Sequence, residues 1–235
     1  MNKDPLGVAL MDYISGNRRE FIKVTSSLGE EDNLWVKQFF RTYPEMPEVE
    51  KTALKHCKGK VLDVGAGAGA HSQYLKTKGL DVFPIDISEG AVKVMKAGGL
   101  DKARKINFFD LFSEKYDTIL MLMNGIGITG TIDKLDVFFQ KVTELLYDDG
   151  VLIFDSSDII YMFEDEIGNF ELDHDNYYGE VKYSMSYKNI KGDSFEWLFI
   201  DYNTFKSLAE KNNFHTKILS KQNNNAYTCM CSKVI

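Results

Sequence analysis

Val61-Leu62-Asp63-Val64-Gly65-Ala66-Gly67-Ala68-Gly69-Ala70 is the stretch on which the fold turns. Val61 to Val64 reads as a short buried strand, the alternating glycines as a tight loop, and Ala70 to Lys78 as a helix stopped by Gly79. Such a loop lets backbone approach a ligand closely and points free helix N–H groups at it. Gly65, Gly67 and Ala70 also satisfy the dinucleotide-binding spacing. Asp63 separates the two readings. At the carboxyl end of the strand it would repel a pyrophosphate and suit a ligand that brings an ammonium or a sulfonium.

Outward from this stretch, Val82 to Ile85 is the next strand, and Ser88 caps a helix that runs to Ala97 and stops at Gly98-Gly99. Lys105 to Phe109 reads as a third strand and Thr118 to Met123 as a fourth. Leu135, Phe138, Phe139, Val142, Leu145 and Leu146 recur at helical spacing, which predicts an amphipathic helix over Asp133 to Tyr147. Asp148-Asp149-Gly150 then turns into Val151 to Phe154, the fifth strand. Strands alternating with helices imply parallel βαβ units with right-handed crossovers. Pro84 has no N–H for a ladder, so it is expected at the carboxyl end of its strand, beyond the paired stretch.

Past Phe154 the period changes. Val181, Tyr183, Met185 and Tyr187 alternate with polar residues, and Phe195, Trp197 and Phe199 repeat the pattern beyond Lys191-Gly192-Asp193, which predicts a hairpin. Asp201 is placed to cap a helix through Tyr202 to Lys211, and Phe214 to Leu219 and Ala226 to Val234 read as two final strands. Before Val61, the pattern of Leu10, Tyr13, Phe21, Leu34, Trp35, Phe39 and Phe40 predicts helices lying over the sheet.

The length of 235 residues suits one large α/β domain with an appendage, and no repeat or Pro/Gly/Ser-rich linker divides it. Hydrophobic residues at 44% and charged residues at 27% are an ordinary globular composition. A formal net charge of −7 argues against a general nucleic-acid binder, which needs a basic surface. No apolar run approaches the roughly 20 residues of a membrane span. Met1-Asn2-Lys3-Asp4-Pro5 lacks the character of a signal peptide, so a cytoplasmic location is expected. The 3 cysteines show no zinc spacing; Cys229 and Cys231 fall on one face of a strand as core thiols, and no metal site is expected.

Val61 to Gly69 resembles the first motif of the class I S-adenosylmethionine-dependent methyltransferases. The resemblance runs over about Arg41 to Asp155, and the order of elements matches beyond it. It implies an α/β fold with a seven-stranded, mostly parallel, doubly wound sheet whose last strand is antiparallel, an ending that the terminal strand pair fits. It implies S-adenosylmethionine as cofactor, with Asp63, Gly65, Ala66, Gly67 and Gly69 around its methionine end. Asp86, 21 residues after Gly65, matches the acid that takes both ribose hydroxyls, with Ile87 beside it. Asp110 matches the acid at the adenine amino group, with Leu111 beside it, and Met123 ends the fourth strand next to the cofactor. Arg41 and Met46 belong to a segment, Arg41 to Pro47, that resembles a stretch closing over the methionine end. The expected organisation is one domain over 1–235: an N-terminal helical cap (1–55), a cofactor-binding core (56–155), an acidic segment with a hairpin lid (156–200), and a C-terminal helix and strands (201–235).

A sulfonium is already activated, so the protein has mainly to align the acceptor and exclude water. Acceptor groups are expected at the carboxyl ends of the fourth and fifth strands, which makes Asn124 and Asp155 the candidates. Asp158, Tyr161 and His174 are further possible bases or orienting groups. Asn124 is not followed by Pro-Pro-aromatic, so the signature of adenine, cytosine or glutamine N-methyltransferases is missing. His71 reads as a first-turn helix residue, and His56 and His215 carry no signal. The leading reading is methyl transfer to a small molecule. Aminopropyl transfer and a non-catalytic S-adenosylmethionine-binding protein are alternatives, and a nucleotide-dependent oxidoreductase is disfavoured by Asp63. Val151 to Glu180 carries nine acids and no lysine or arginine. With the hairpin it is expected to form a lid, Tyr161, Phe163, Tyr177 and Tyr178 giving apolar contacts and the acids favouring neutral or cationic acceptors over nucleic acid.

Overall fold

The computed structural model describes residues 3–165, 167, 169, 176–222 and 225–234. The chain opens with α1 (Pro5–Ile14), β1 (Phe21–Ser26), β2 (Glu31–Trp35) and α2 (Glu48–His56). The core follows with β3 (Lys60–Val64), α3 (Ala70–Thr77), β4 (Asp81–Asp86), α4 (Glu89–Ala97), β5 (Arg104–Lys105), β6 (Tyr116–Met121), α5 (Leu135–Leu145) and β7 (Leu146–Ser157). It ends with β8 (Glu180–Tyr187), β9 (Ile190–Lys191), β10 (Phe195–Leu198), α6 (Tyr202–Lys211), β11 (Phe214–Lys221) and β12 (Ala226–Lys233).

Seven strands make the main sheet, in the order β11-β12-β7-β6-β3-β4-β5. Only β12, the last in the chain, runs antiparallel to its neighbours in it, as expected. The chain moves outward from β3 through β4 to β5, then crosses back to β6. Strand order therefore reverses between β3 and β6, and that is where an open α/β sheet leaves a crevice beyond its carboxyl ends. The central strands are buried on both faces, which explains their near-continuous apolar runs. Leu62, Ile119, Met121, Leu152 and Phe154 share one core cluster with Phe138, Phe139 and Val142 of α5 and Phe205 of α6. Val61, Leu120 and Ile153 share another with Ala53 and Leu54 of α2 and Leu75 of α3. Cys229 and Cys231 are both buried in the first cluster.

Several local expectations need correction. Pro84 lies inside the paired stretch, in register with Asp63 of β3. The Asp86 carbonyl accepts from Ile106 N–H at 3.1 Å, so Pro84, two residues earlier, turns its nitrogen to that same side. β5 pairs only from Ile85 onward, so no ladder bond is lost there. The third strand is just β5, and Phe108–Asp110 winds into a 3-10 turn.

The N-terminal region is only partly helical. Helices α1 and α2 are present, but β1 and β2 between them form an antiparallel hairpin. Ile22 and Val24 alternate with Lys23 and Thr25, a strand pattern too short to stand out from the apolar residues around it. This hairpin pairs with β8 of the inserted segment, giving a second sheet in the order β10-β8-β1-β2, with β9 continuing the β10 edge of β8. The inserted hairpin itself reverses at Lys188-Asn189, since Tyr187 pairs with Ile190, and Lys188 takes a left-handed φ of 53°. Gly192 only interrupts the returning strand.

The second sheet packs Ile22, Val24, Met185 and Tyr187 against Ala9 and Leu10 of α1, and α1 reaches Ala91 and Val94 of α4. Asp4 fixes this contact with one carboxylate. It accepts from Gly7 N–H at 2.8 Å, at the start of α1, and from Ser88 Oγ and Gly90 N–H at 2.8 and 3.1 Å, at the start of α4. A Cβ on Gly90 would lie 2.4 Å from the Gly7 backbone. Gly90→Ala is therefore expected to lower stability by about 1–3 kcal/mol through overpacking, read as a fall in Tm. An unchanged Tm would show that α1 is not seated on α4.

Candidate active site

The crevice is built where β3 gives way to its glycine loop. Gly65 has φ +68° and Gly67 φ +57°, a region that favours glycine. A Cβ on Gly65 would meet nothing within 4 Å, so the backbone there faces open space. A Cβ on Gly67 would lie 3.1 Å from the Phe39 ring, which roofs the loop. At Gly69 a Cβ would lie 2.5 Å from Leu100, so the absence of a side chain lets the start of α3 pack closely there.

Asp63 is buried at the end of β3 and accepts from Ser72 Oγ at 2.6 Å; burial raises its pKa above the usual carboxylate range. Asp86 is buried at the end of β4. Its two oxygens accept from Gly67 N–H at 2.9 Å and Ser88 N–H at 2.8 Å, which ties β4 to the glycine loop. Burial pushes its carboxyl up to about 6. Ile87, next along, is 71% exposed, an apolar face left open beside that acid. Asp110 is exposed on the 3-10 turn after β5, while Leu111 is buried in the main core.

One small pocket joins residues from four places in the chain: Gln38, Phe39 and Arg41; Asp63, Gly65 and Ala66; Ala70 and His71; Leu122 and Met123. Of the residues expected at a cofactor, Arg41, Asp63, Gly65, Ala66 and Met123 line it. Asp86, at the end of β4, Ile87 after it and Asp110, on the turn after β5, do not line it. Met46 does not line the pocket; it packs in the core with Ala53, Leu54 and Leu75.

Sequence reasoning missed the group that organises this pocket. Glu50, on α2, is 3% exposed. Its carboxylate takes both Nε and Nη2 of Arg41 and His71 Nε2, the last at 2.8 Å. Burial opposes its ionisation, but the hydrogen bonds from His71 and Arg41 outweigh that and hold its pKa below the usual range. The signal was a carboxylate spaced with Ala53 and Leu54 on the apolar face of a helix.

Across the crevice, β6 ends in two successive left-handed non-glycine residues, Met123 (φ 64°) and Asn124 (φ 56°). Such conformations cost about 1–3 kcal/mol each and persist only where surroundings enforce them. Asp155 of β7 enforces this one: its Oδ1 accepts from Asn124 N–H at 2.8 Å and Gly125 N–H at 3.4 Å. Burial, reinforced by the charge of Glu50, pushes the Asp155 carboxyl up to about 7. Asn124 Nδ2 donates to the Leu198 carbonyl at 3.1 Å, and its Oδ1 is buried without a partner among the described residues.

The acidic segment is less free than its composition suggests. Asp158 accepts from Tyr178 OH at 2.8 Å and Glu180 from Ile132 N–H at 2.8 Å. Phe163, Tyr177 and Tyr178 pack on one another, and Tyr161 is exposed. Glu166, Glu171, Asp173, His174 and Asp175 lie outside the described residues.

These features fit the group that the resemblance implies. There is an open glycine cradle, a buried acid at the end of each strand beside it, and backbone held clear for a ligand. A family described as a methyltransferase domain matches residues 62–154. The chain is similar to an S-adenosylmethionine-dependent methyltransferase from Bacteroides fragilis, solved in complex with S-adenosyl-L-homocysteine. The two share 42% identity at a TM-score of 0.94, covering 99% of this chain and 96% of that one. The CcbJ methyltransferase from Streptomyces caelestis is 13% identical at a TM-score of 0.61, covering 82% of this chain and 95% of that one. A methyltransferase from Clostridium acetobutylicum is 14% identical at 0.57, with 81% and 93% covered. The last two share the fold alone. No curated protein matches the sequence.

The raised pKa of Asp155 has a consequence for stability. An unfolded Asp titrates at about 3.9, so between about pH 4 and 7 the folded chain holds a proton that the unfolded chain has lost. Stability from this group is full below that window, falls as pH rises through it, and levels off above about 7. Asp155→Asn keeps an oxygen for both backbone N–H groups and carries no charge. Its Tm relative to the unaltered chain is expected to be higher at about pH 8 than at about pH 5, by at least the 2–4 °C that roughly 1 kcal/mol produces at this size. A pH-independent difference would refute the buried, proton-holding state.

Proposed function

This chain belongs to the class I S-adenosylmethionine-dependent methyltransferases, and from that premise we propose that it methylates a small molecule held beside Asn124 and Asp155. Bound in the crevice, S-adenosylmethionine supplies a methyl group already activated on a sulfonium. Asp86 would hold the ribose, Asp110 the adenine edge, and Arg41, Asp63 and the glycine loop the methionine end. The family sets methyl transfer above the aminopropyl, oxidoreductase and non-catalytic readings.

The observation that carries the acceptor reading is the orphaned Asn124 Oδ1. With Nδ2 committed to Leu198, the amide orientation is fixed and its oxygen remains as a buried hydrogen-bond acceptor. A small molecule bringing an N–H or O–H would satisfy it and have its lone pair turned toward the methyl group. Asp155, bonded to the Asn124 backbone and held near pH 7, is the carboxylate able to receive that molecule's proton near neutrality.

The second sheet supplies an aromatic wall. Trp197 packs on the Gly127 backbone, where a Cβ would lie 2.1 Å from its Nε1. Tyr183 meets both Phe195 and Phe199 at 6.2 Å between centroids. Such a wall suits an apolar or flat acceptor, and the acidic composition of residues 151–180 favours a neutral or cationic one over nucleic acid. Among the described residues no helix is long and apolar enough to cross a membrane, which accords with a cytoplasmic enzyme acting on a dissolved metabolite.

Asp86→Ala should weaken S-adenosylhomocysteine binding tenfold or more, since hydrogen bonds to a charged acceptor are worth roughly 1.5–3 kcal/mol each. Unchanged affinity in calorimetry would remove Asp86 from the ribose. Transfer from methyl-labelled cofactor to a metabolite library should identify the acceptor. With it, Asn124→Ala should lower kcat at least tenfold while cofactor affinity stays within a few-fold. Loss of cofactor affinity with turnover preserved would reverse the assignment of Asn124.

A further inference from the structure

His71 is 6% exposed and lines the same pocket as Asp63, Gly65 and Met123. Its Nε2 lies 2.8 Å from Glu50 Oε2, and an ionised carboxylate only accepts, so Nε2 carries the hydrogen. In the neutral imidazole, that leaves Nδ1 as the nitrogen with the free lone pair. Among the described residues Nδ1 has no hydrogen-bond partner, although the side chain is more than nine-tenths buried. The ring cannot easily turn away. Glu50 is itself clamped through both oxygens by Arg41, whose Nη1 donates to the Gln38 carbonyl at 3.1 Å.

The charges facing the ring are Glu50 from α2, Asp63 from β3, Asp155 from β7 and Arg41 from the segment before α2. Arg41 is already matched by Glu50. What remains toward the pocket is a carboxylate and a lone pair, a combination that accepts hydrogen bonds from a cation. An ammonium group, with three donors, answers both.

We propose that His71 is a cofactor-binding residue whose Nδ1 accepts from the ammonium at the methionine end, and that Glu50 is the positioning residue that fixes its ring and tautomer. The inference rests on the reading of this pocket as the S-adenosylmethionine site and extends it to a residue that looks like an ordinary first-turn histidine. Glu50 acts through His71 and touches no ligand.

The test compares two ligands by calorimetry on the full chain. S-adenosylhomocysteine carries the amino-acid end; 5′-methylthioadenosine has the adenosine and thioether but lacks it. His71→Phe is expected to weaken S-adenosylhomocysteine about tenfold, the loss of one charge-assisted hydrogen bond, and to leave 5′-methylthioadenosine within twofold or so. His71→Asn, whose Oδ1 falls near the place of Nδ1, should recover much of the loss. Glu50→Gln should weaken S-adenosylhomocysteine selectively and show mixed tautomers in the His71 ring nitrogen signals, where the unaltered chain shows only Nε2–H. Unchanged S-adenosylhomocysteine affinity in His71→Phe overturns the proposal. So does equal loss of both ligands in His71→Phe and His71→Asn, which would make the ring a packing element. Failure of the unaltered chain to bind either ligand would instead overturn the cofactor reading beneath it.

Discussion

A buried carboxyl group either keeps its proton or, if ionised, costs several kcal/mol unless hydrogen bonds or an opposite charge replace the water it loses. This chain buries four in one region, Glu50, Asp63, Asp86 and Asp155, and how each is compensated shapes the ligand face. Asp86 takes backbone N–H groups from the glycine loop and from the start of α4, so the loop is pulled onto β4. Asp155 takes the N–H groups of Asn124 and Gly125, so the end of β6 is held in a left-handed turn. Glu50 takes a guanidinium and an imidazole, so the segment before α2 is pinned to the first turn of α3. Asp63 has a serine hydroxyl and lines the pocket. The crevice is thus rigid where carboxylates are satisfied internally and receptive where they are not.

That division also explains what was legible in the sequence. The glycine loop, Asp63 and Asp86 announce themselves because local chain geometry requires them: a strand must end, backbone must reverse with positive φ, and a helix must begin. Asn124 and Asp155 follow from topology, as the ends of the strands flanking the switch point. Glu50 follows from neither, since its partners lie 9 residues before it and 21 after it, and only the folded chain brings them together. His71 was set aside for the same reason. An isolated histidine in a first turn gives no hint that a distant carboxylate fixes its tautomer.

The N-terminal hairpin is hidden in the sequence because Phe21, Leu34 and Trp35 join Leu10, Tyr13 and Phe39 in what reads as one helical pattern, yet Phe21 and Trp35 face each other edge-on across two strands, 5.7 Å between centroids. A two-stranded ribbon is marginal alone. Its stability comes from β8, a strand more than 140 residues away, and no local window contains that information. Pro84 erred in the other direction. The rule against proline in a central strand holds per hydrogen-bonding side, and here that side is empty because β5 starts one residue later.

The second sheet bears on the order in which the molecule can be assembled. β1 is made long before residues 183–186, which cover its other edge. In the main sheet, β7 waits for β12, which inserts between it and β11. Two long-range pairings of high sequence separation therefore close late, and such contacts slow folding because loop entropy is lost before they form. Until then two strand edges stand open to other chains, the condition under which nascent proteins aggregate or engage chaperones. Yet the aromatic wall beside Asn124 exists only once β8 and β10 are in place. On the acceptor reading proposed above, the glycine loop is made long before the strands that would enclose an acceptor.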